Sequence, residues 1–166
     1  MRDFTASDST ASDSTASDST ASRFTLPRLV PRLVVDRPDE AIAFYRDVFD
    51  AEPLERFEDA RGVVVHAALR VGETHLSMTQ SVRAWGLDSP AHFGGSAVLL
   101  HLTLDDPDGA CARAVERGAH VVIPIEDRPY GKREGRLRDP FGHLWVLSRD
   151  IERLSADEIQ RRLGAR

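Results

Sequence analysis

The chain has 166 residues, 41% of them hydrophobic, which suffices for one domain with a substantial core. Of the net charge of −5, Asp3, Asp8, Asp13 and Asp18 against Arg2 place −3 in the first 22 residues; the −2 left for the remainder is no basic field for nucleic acid. The lone cysteine, Cys111, excludes an intramolecular disulfide and fits a reducing cytoplasm; no apolar run nears the roughly 18 residues that span a bilayer, and the N-terminus is Ser/Thr/Asp-rich where a secretory signal would have an apolar stretch.

Residues 5–22 repeat Thr-Ala-Ser-Asp-Ser three and a half times, with no side chain larger than Asp. Such a stretch has nothing to bury, so residues 1–26 are expected to be a disordered tail. The folded part is expected over 27–166. Within it, a self-comparison at a shift of 69 residues aligns Asp36-Arg-Pro-Asp-Glu-Ala-Ile-Ala43 with Asp105-Asp-Pro-Asp-Gly-Ala-Cys-Ala112, identical at five of eight positions. Each copy follows a β-type run, Leu33-Val-Val or Leu102-Thr-Leu, and internal duplication is the economical explanation.

In chain order the first copy, about 27–80, predicts a strand near 29–35 and then a helix with Pro38 in its first turn, where a missing N–H costs nothing. Ile42, Tyr45 and Val48/Phe49 recur at helical spacing, so one face lies on a sheet. Three strands follow near 53–58, 62–71 and 73–80. The stretch from Ser81 to Ser96, with Trp85, His92 and Phe93, is a long connection expected to edge a cavity. The second copy, about 97–150, predicts a strand near 97–104 and a helix with Cys111, Ala114 and Val115 on one face, stopping at Gly118. Strands near 120–125, 134–139 and 143–149 follow. Ser155-Ala-Asp-Glu158 is a capping box that opens a C-terminal helix over about 155–162.

This paired α+β arrangement of two βαβββ modules resembles the vicinal oxygen chelate superfamily, the glyoxalase/bleomycin-resistance/dioxygenase proteins, over about residues 27–163. The carrying stretches are Ala41-Ile-Ala-Phe-Tyr-Arg-Asp-Val-Phe49, Val65-His-Ala-Ala-Leu-Arg-Val-Gly72 and Leu100-His-Leu-Thr-Leu-Asp-Asp106. The most specific is Tyr130 to Trp145, with its Asp139-Pro-Phe-Gly142 turn before an apolar strand. With Ala156 to Arg162, it points to the PhnB-like subgroup. The resemblance implies paired curved mixed sheets, a shared concave site for a small molecule and a homodimer.

Enzymes of this superfamily usually hold one divalent metal with a ligand from the opening and final strand of each module. The resemblance places those positions on Val30 and Leu99, near Leu76/Ser77, and on Val146, none of which is His, Glu or Gln. No metal and no cofactor are therefore expected. His101 lies two residues after Leu99, on the same strand face, with Arg32 at the equivalent place in the first copy. His66 and His101 interrupt apolar runs, either as core histidines with internal partners or as ligand-facing groups. Trp145 belongs to core or cavity wall, and Trp85, in a polar loop, to a lid or an interface. From Glu126 to Arg138, five basic side chains make either a solvated hairpin or a set of oxyanion donors.

Arg32, His66, His101, Trp85, Tyr130 and Trp145 are thus the candidate ligand-binding residues. The leading reading is a metal-free small-molecule-binding protein of the bleomycin-resistance type, cytoplasmic and without nucleic-acid or membrane partners. The alternative is an enzyme of the lyase, isomerase or dioxygenase kind, metal-dependent or using His66 or His101 as acid or base.

Overall fold

The computed structural model describes residues 29–165, so the reading of residues 1–26 as a disordered tail falls outside the described residues. Two modules of identical topology follow one another. The first contains β1 (Arg32–Val35), α1 (Pro38–Phe49), β2 (Glu52–Glu58), β3 (Val64–Val71) and β4 (Thr74–Gln80). The second contains β5 (Leu99–Thr103), α2 (Pro107–Glu116), β6 (His120–Arg128), β7 (Lys132–Arg138) and β8 (Leu144–Asp150). The sheet orders are β1-β4-β3-β2 and β5-β8-β7-β6, each with its opening strand parallel to its final strand and the rest antiparallel. A helix α3 (Ala156–Gly164) closes the fold, its Ser155 hydroxyl accepting from the Glu158 amide at 3.2 Å. Among the described residues no helix is long and apolar enough to cross a membrane.

The local sequence accounts for both modules. Pro38 and the acidic Asp39 and Glu40 suit the first turn of α1, and Ala41, Phe44, Tyr45, Val48 and Phe49 form its buried face. Asp50 ends the helix in the left-handed region, at φ 54°, where the short polar side chain of Asp is tolerated. In α2 the Asp106 carboxylate caps the Gly109 amide at 2.9 Å. Its buried face is Ala110 and Ala114 with Cys111 beside them, whereas Val115, expected inside, is 46% exposed because it lies past the edge of that stripe.

Strand limits also differ from the sequence pattern. β1 begins at Arg32 rather than 29, because Leu29 extends away from the sheet and Pro31 contributes only its carbonyl, to Ser77 N. β5 is likewise shorter than 97–104. β6 runs on to Arg128, whose guanidinium donates to the Glu134 and Pro124 carbonyls and holds the hairpin end. Beneath the irregular middle of β6, a Cβ on Gly135 would lie 2.6 Å from the Ile123 carbonyl, so only glycine permits that approach.

The modules meet through their helices and the turn before β8. Tyr45 of α1 is fully buried among Phe44, Phe49, Phe141 and Trp145, with Phe49 and Trp145 centroids 4.8 Å apart. At the centre, the buried Asp139 carboxylate accepts from Tyr45 Oη at 2.7 Å and Trp145 Nε1 at 2.9 Å through one oxygen. Its other oxygen accepts from the Phe141 and His143 amides. Arg113 donates to the Val48 carbonyl, Arg117 pairs with Asp47, and His143 Nε2 lies 3.2 Å from the Val34 carbonyl, to which it donates.

Two expectations follow from this seam. Tyr45→Phe removes the donor that module one gives to a buried carboxylate, and should cost about 1–3 kcal/mol in urea unfolding without altering the fold. Burial holds His143 below its ordinary value, outweighing the pull of Asp139, so the folded protein keeps it neutral. The unfolded chain takes that proton near pH 6.5, so this contribution is complete above about 6.5 and drains as pH falls below it. His143→Gln should flatten the decline in melting temperature between about pH 7 and pH 5, relative to wild type.

Candidate functional site

With the modules locked at this seam, β1 and β5 border a cavity of about 710 Å³. Its walls are largely apolar: Leu33 and Val34 of β1, Val71 and Leu76 of the β3–β4 hairpin, and Leu99, Leu100 and Leu102 of β5. The connection between modules closes another side with Pro90, Phe93, Ala97 and Val98. Polar residues enter at few places, namely Arg32, Thr74, His75, Asp88, Ser96, His101 and His143. This is the common composition of a small-molecule pocket, apolar walls with a few fixed polar groups.

Asp36, just after β1, positions the connecting loop. Its carboxylate accepts from Ser81 Oγ at 2.5 Å and from Ser89 Oγ at 2.8 Å, gripping the loop at two points. The Ser81 bond leads in keeping the Asp36 carboxyl below its ordinary range. Farther along, Arg83 lies 3.4 Å from Asp88 and balances the acid at the cavity rim, with His92 3.6 Å away.

The two opening strands bring equivalent side chains to the same cavity. Arg32 is in register with Ser77 and His101 with Val146, so the duplication places them at one structural position. Each is met by the same position of the third strand of its module, His66 on β3 and Glu134 on β7. Arg32 donates through Nη2 to His66 Nδ1, leaving the imidazole proton on Nε2, which donates to Glu55 at 2.9 Å. His66 therefore orients the Arg32 guanidinium and is itself outside the cavity lining.

In module two, His101 Nε2 is 2.6 Å from the buried Ser148 hydroxyl and 4.0 Å from Glu134. Its Nδ1 has no hydrogen-bond partner among the described residues. Tyr130 donates to Glu134 at 2.8 Å from the β6–β7 turn, and burial followed by that carboxylate raises its phenol above the ordinary value. Tyr130 thus stands behind His101 rather than in the cavity wall.

Of the six residues singled out from sequence, the fold brings Arg32, His101 and Trp145 to the cavity. Trp145 belongs to core and wall at once: it is buried, with its indole N–H spent on Asp139, and it is also a lining residue. Trp85 ends a short 3-10 turn, Arg83–Trp85, is 50% exposed and does not line the cavity; Phe93 of the same connection does. Sequence reasoning also left out His75, Asp88 and His143. The first is the second residue of β4 and the last immediately precedes β8, each just after a glycine turn, and that position is the signal that could have found them.

The superfamily metal fits these residues poorly. Val30, Leu99 and Val146 offer no ligand atom, and Ser77 Oγ, the one oxygen near the fourth position, donates to the Pro31 carbonyl at 3.1 Å. Among the described residues no three His, Cys, Asp or Glu side chains converge into an alternative set.

The family model of the glyoxalase/bleomycin resistance protein/dioxygenase superfamily matches residues 25–147. An uncharacterized protein of Mycobacterium bovis is 41% identical over 137 residues, 81% of this chain and 90% of that protein. Among solved structures, TioX from Micromonospora sp. ML1 superposes with a TM-score of 0.57 at 27% identity, over 75% of this chain and 98% of that one. The PhnB protein of Bacillus cereus reaches a TM-score of 0.60 at 21% identity, over 74% and 99% of the two chains, a likeness of fold. Duplicated topology, cavity and family match together place the chain in the glyoxalase/bleomycin resistance protein/dioxygenase superfamily, to which it belongs.

Proposed function

We propose that residues 27–166 act as one cytoplasmic, metal-free unit that sequesters a small apolar or aromatic molecule bearing a negative group. The 710 Å³ cavity carries the reading, because its walls are apolar while Arg32 and His101 bring donors to it from equivalent strand positions. Both donors stand open to solvent beside apolar walls, and a ligand carboxylate or similar oxyanion suits both. Binding requires no reacting group, which agrees with the lost metal ligands and with sequestration of an antibiotic or metabolite in the bleomycin-resistance manner. The Asp139-Pro-Phe-Gly142 turn and the α3 segment favour the PhnB-like subgroup.

One observation favours a second reading, metal-free acid–base catalysis. His101 has one ring nitrogen engaged by Ser148 and the other open, with Glu134 close behind, so it could pass a proton to or from a bound molecule. Conversion of a bound ligand, lost in His101→Gln, would establish it.

A homodimer completes the proposal. Every residue of β2 is exposed and most of β6 is, and both edge strands present apolar side chains, Leu54 and Phe57 on one and Val121 and Val122 on the other. Such edges are normally covered. Sedimentation at micromolar concentration should give twice the chain mass, and a stable monomer would contradict the dimer.

The site is tested by titrating 8-anilinonaphthalene-1-sulfonate and a panel of aromatic acids while following tryptophan fluorescence. Saturable binding is expected, weakened by roughly 1–3 kcal/mol in His101→Leu. Equal binding by both proteins would remove His101 from the site, and no binding across the panel would remove the site itself.

A further inference from the structure

Nearly every basic side chain in the described residues has a partner. Arg37, Arg46, Arg56, Arg61, Arg70 and Arg133, for example, each pair with a carboxylate at 3.0 Å or less. Four make no hydrogen bond or ion pair: His120, Arg136, Arg138 and Arg153. Arg153 lies near Asp150 and helps to keep that carboxyl low. The other three are neighbours. His120 of β6 is directly opposite Arg138 of β7, and Arg136 is two residues along the same strand, hence on the same face, about 6.6 Å away.

Two arginines and a histidine side by side without a carboxylate partner stand out in an acidic chain whose other arginines, Arg153 apart, all have hydrogen-bond or ion-pair partners among the described residues. The nearest acid along the strand, Glu134, accepts from Tyr130 at 2.8 Å and lies 4.0 Å from His101. Arg138 and His120 also open onto a cleft of about 410 Å³, separate from the apolar cavity. The remaining lining is Ala91, Pro140, Asp139 and four glycines, Gly94, Gly95, Gly118 and Gly142. The Asp139 carboxylate is turned inward to Tyr45, Trp145 and two amides, so it presents no negative charge to the cleft. Walls without side chains let a ligand come close to backbone.

We propose that this cleft is a second binding site, for a tetrahedral oxyanion such as phosphate or a phosphate monoester. Arg138 receives it as a two-pronged donor, His120 contacts it from the facing strand, and Arg136 supplies the neighbouring charge. A guanidinium fork matches such an anion better than an ammonium does, and arginine is the residue that recurs here. The site rests on residues distinct from Arg32 and His101; the Ala91–Gly95 loop separates it from the apolar cavity, and Gly95 borders both.

The test is titration of the full chain with inorganic phosphate at constant ionic strength, followed by amide chemical shifts and calorimetry. Methyl phosphate, acetate and chloride are run alongside. Saturable phosphate binding is expected, with shifts at Gly94, Gly95, Gly118 and Gly142. Arg138→Gln should weaken it at least tenfold, Arg138→Lys and Arg136→Gln several-fold, and Arg61→Gln, whose arginine pairs with Asp59 in the other module, should leave it unchanged. Methyl phosphate binding like phosphate supports a monoester as occupant; phosphate binding with methyl phosphate excluded supports the free anion.

Each variant is checked by melting temperature and by 8-anilinonaphthalene-1-sulfonate affinity, both expected to match wild type. Binding that does not saturate, acetate equal to phosphate, or equal loss in Arg61→Gln would overturn the assignment. Loss of phosphate binding alone tests this site, whereas loss of the aromatic probe tests the apolar cavity.

Discussion

A single buried carboxylate sets the geometry from which the rest follows. Asp139 belongs to module two, but one of its oxygens is held by the hydroxyl of Tyr45, a residue of module one at the heart of the aromatic cluster. Burying a carboxylate is costly, and four donors offset the cost only when all are in place. The bond therefore demands that α1, the turn before β8, and Trp145 take one relative arrangement. Apolar packing alone would hold the modules together, but it would tolerate sliding between them; a charge with fixed donors does not.

That arrangement determines where the cavity lies. Locking α1 against the β8 turn brings β1 beside β5, so the two opening strands present Arg32 and His101 to common space. On the third strands, equivalent positions carry His66, which accepts from Arg32, and Glu134, which lies 4.0 Å from His101, while Ser148 of β8 holds the His101 ring. Duplication thus supplies the frame, and divergence at two pairs of equivalent positions makes the candidate site asymmetric: a guanidinium held by an imidazole on one side, an imidazole held by a hydroxyl on the other. The positions that the resemblance assigns to the metal, before β1, on β5 and on the final strands β4 and β8, are aliphatic or, at Ser77, committed to backbone.

Much of the fold was legible in the sequence because its signals are local. The 69-residue repeat, Pro38 and Pro107 in first helical turns, and Gly72 and Gly142 at strand turns predict the same elements that form. Limits failed where a neighbour decides them, as at β1, which waits for pairing with Ser77, and at β6, which Arg128 prolongs. The site was only partly legible. Alternation on β1 and β5 pointed to Arg32 and His101, since period two alone fixes a face. His143 was hidden because its role depends on burial against Val34, a contact 109 residues away in sequence. Trp85 is conspicuous as a large aromatic in a polar loop, and the fold leaves it half exposed and outside the cavity lining, to which Phe93 of the same connection contributes. The Arg136 and Arg138 cluster was visible as charge, but only the ion-pair map distinguishes those two from Arg128 and Arg133, which are already engaged.

The central claim is that this member of the superfamily holds its ligand between the modules without a metal. Elemental analysis of protein purified without chelators, repeated after exhaustive chelation with aromatic-ligand affinity measured on both samples, tests it most directly. The account predicts well under one divalent ion per chain and the same affinity before and after. Near-equimolar zinc, nickel, manganese or iron, removed by the chelator together with ligand binding, would contradict it.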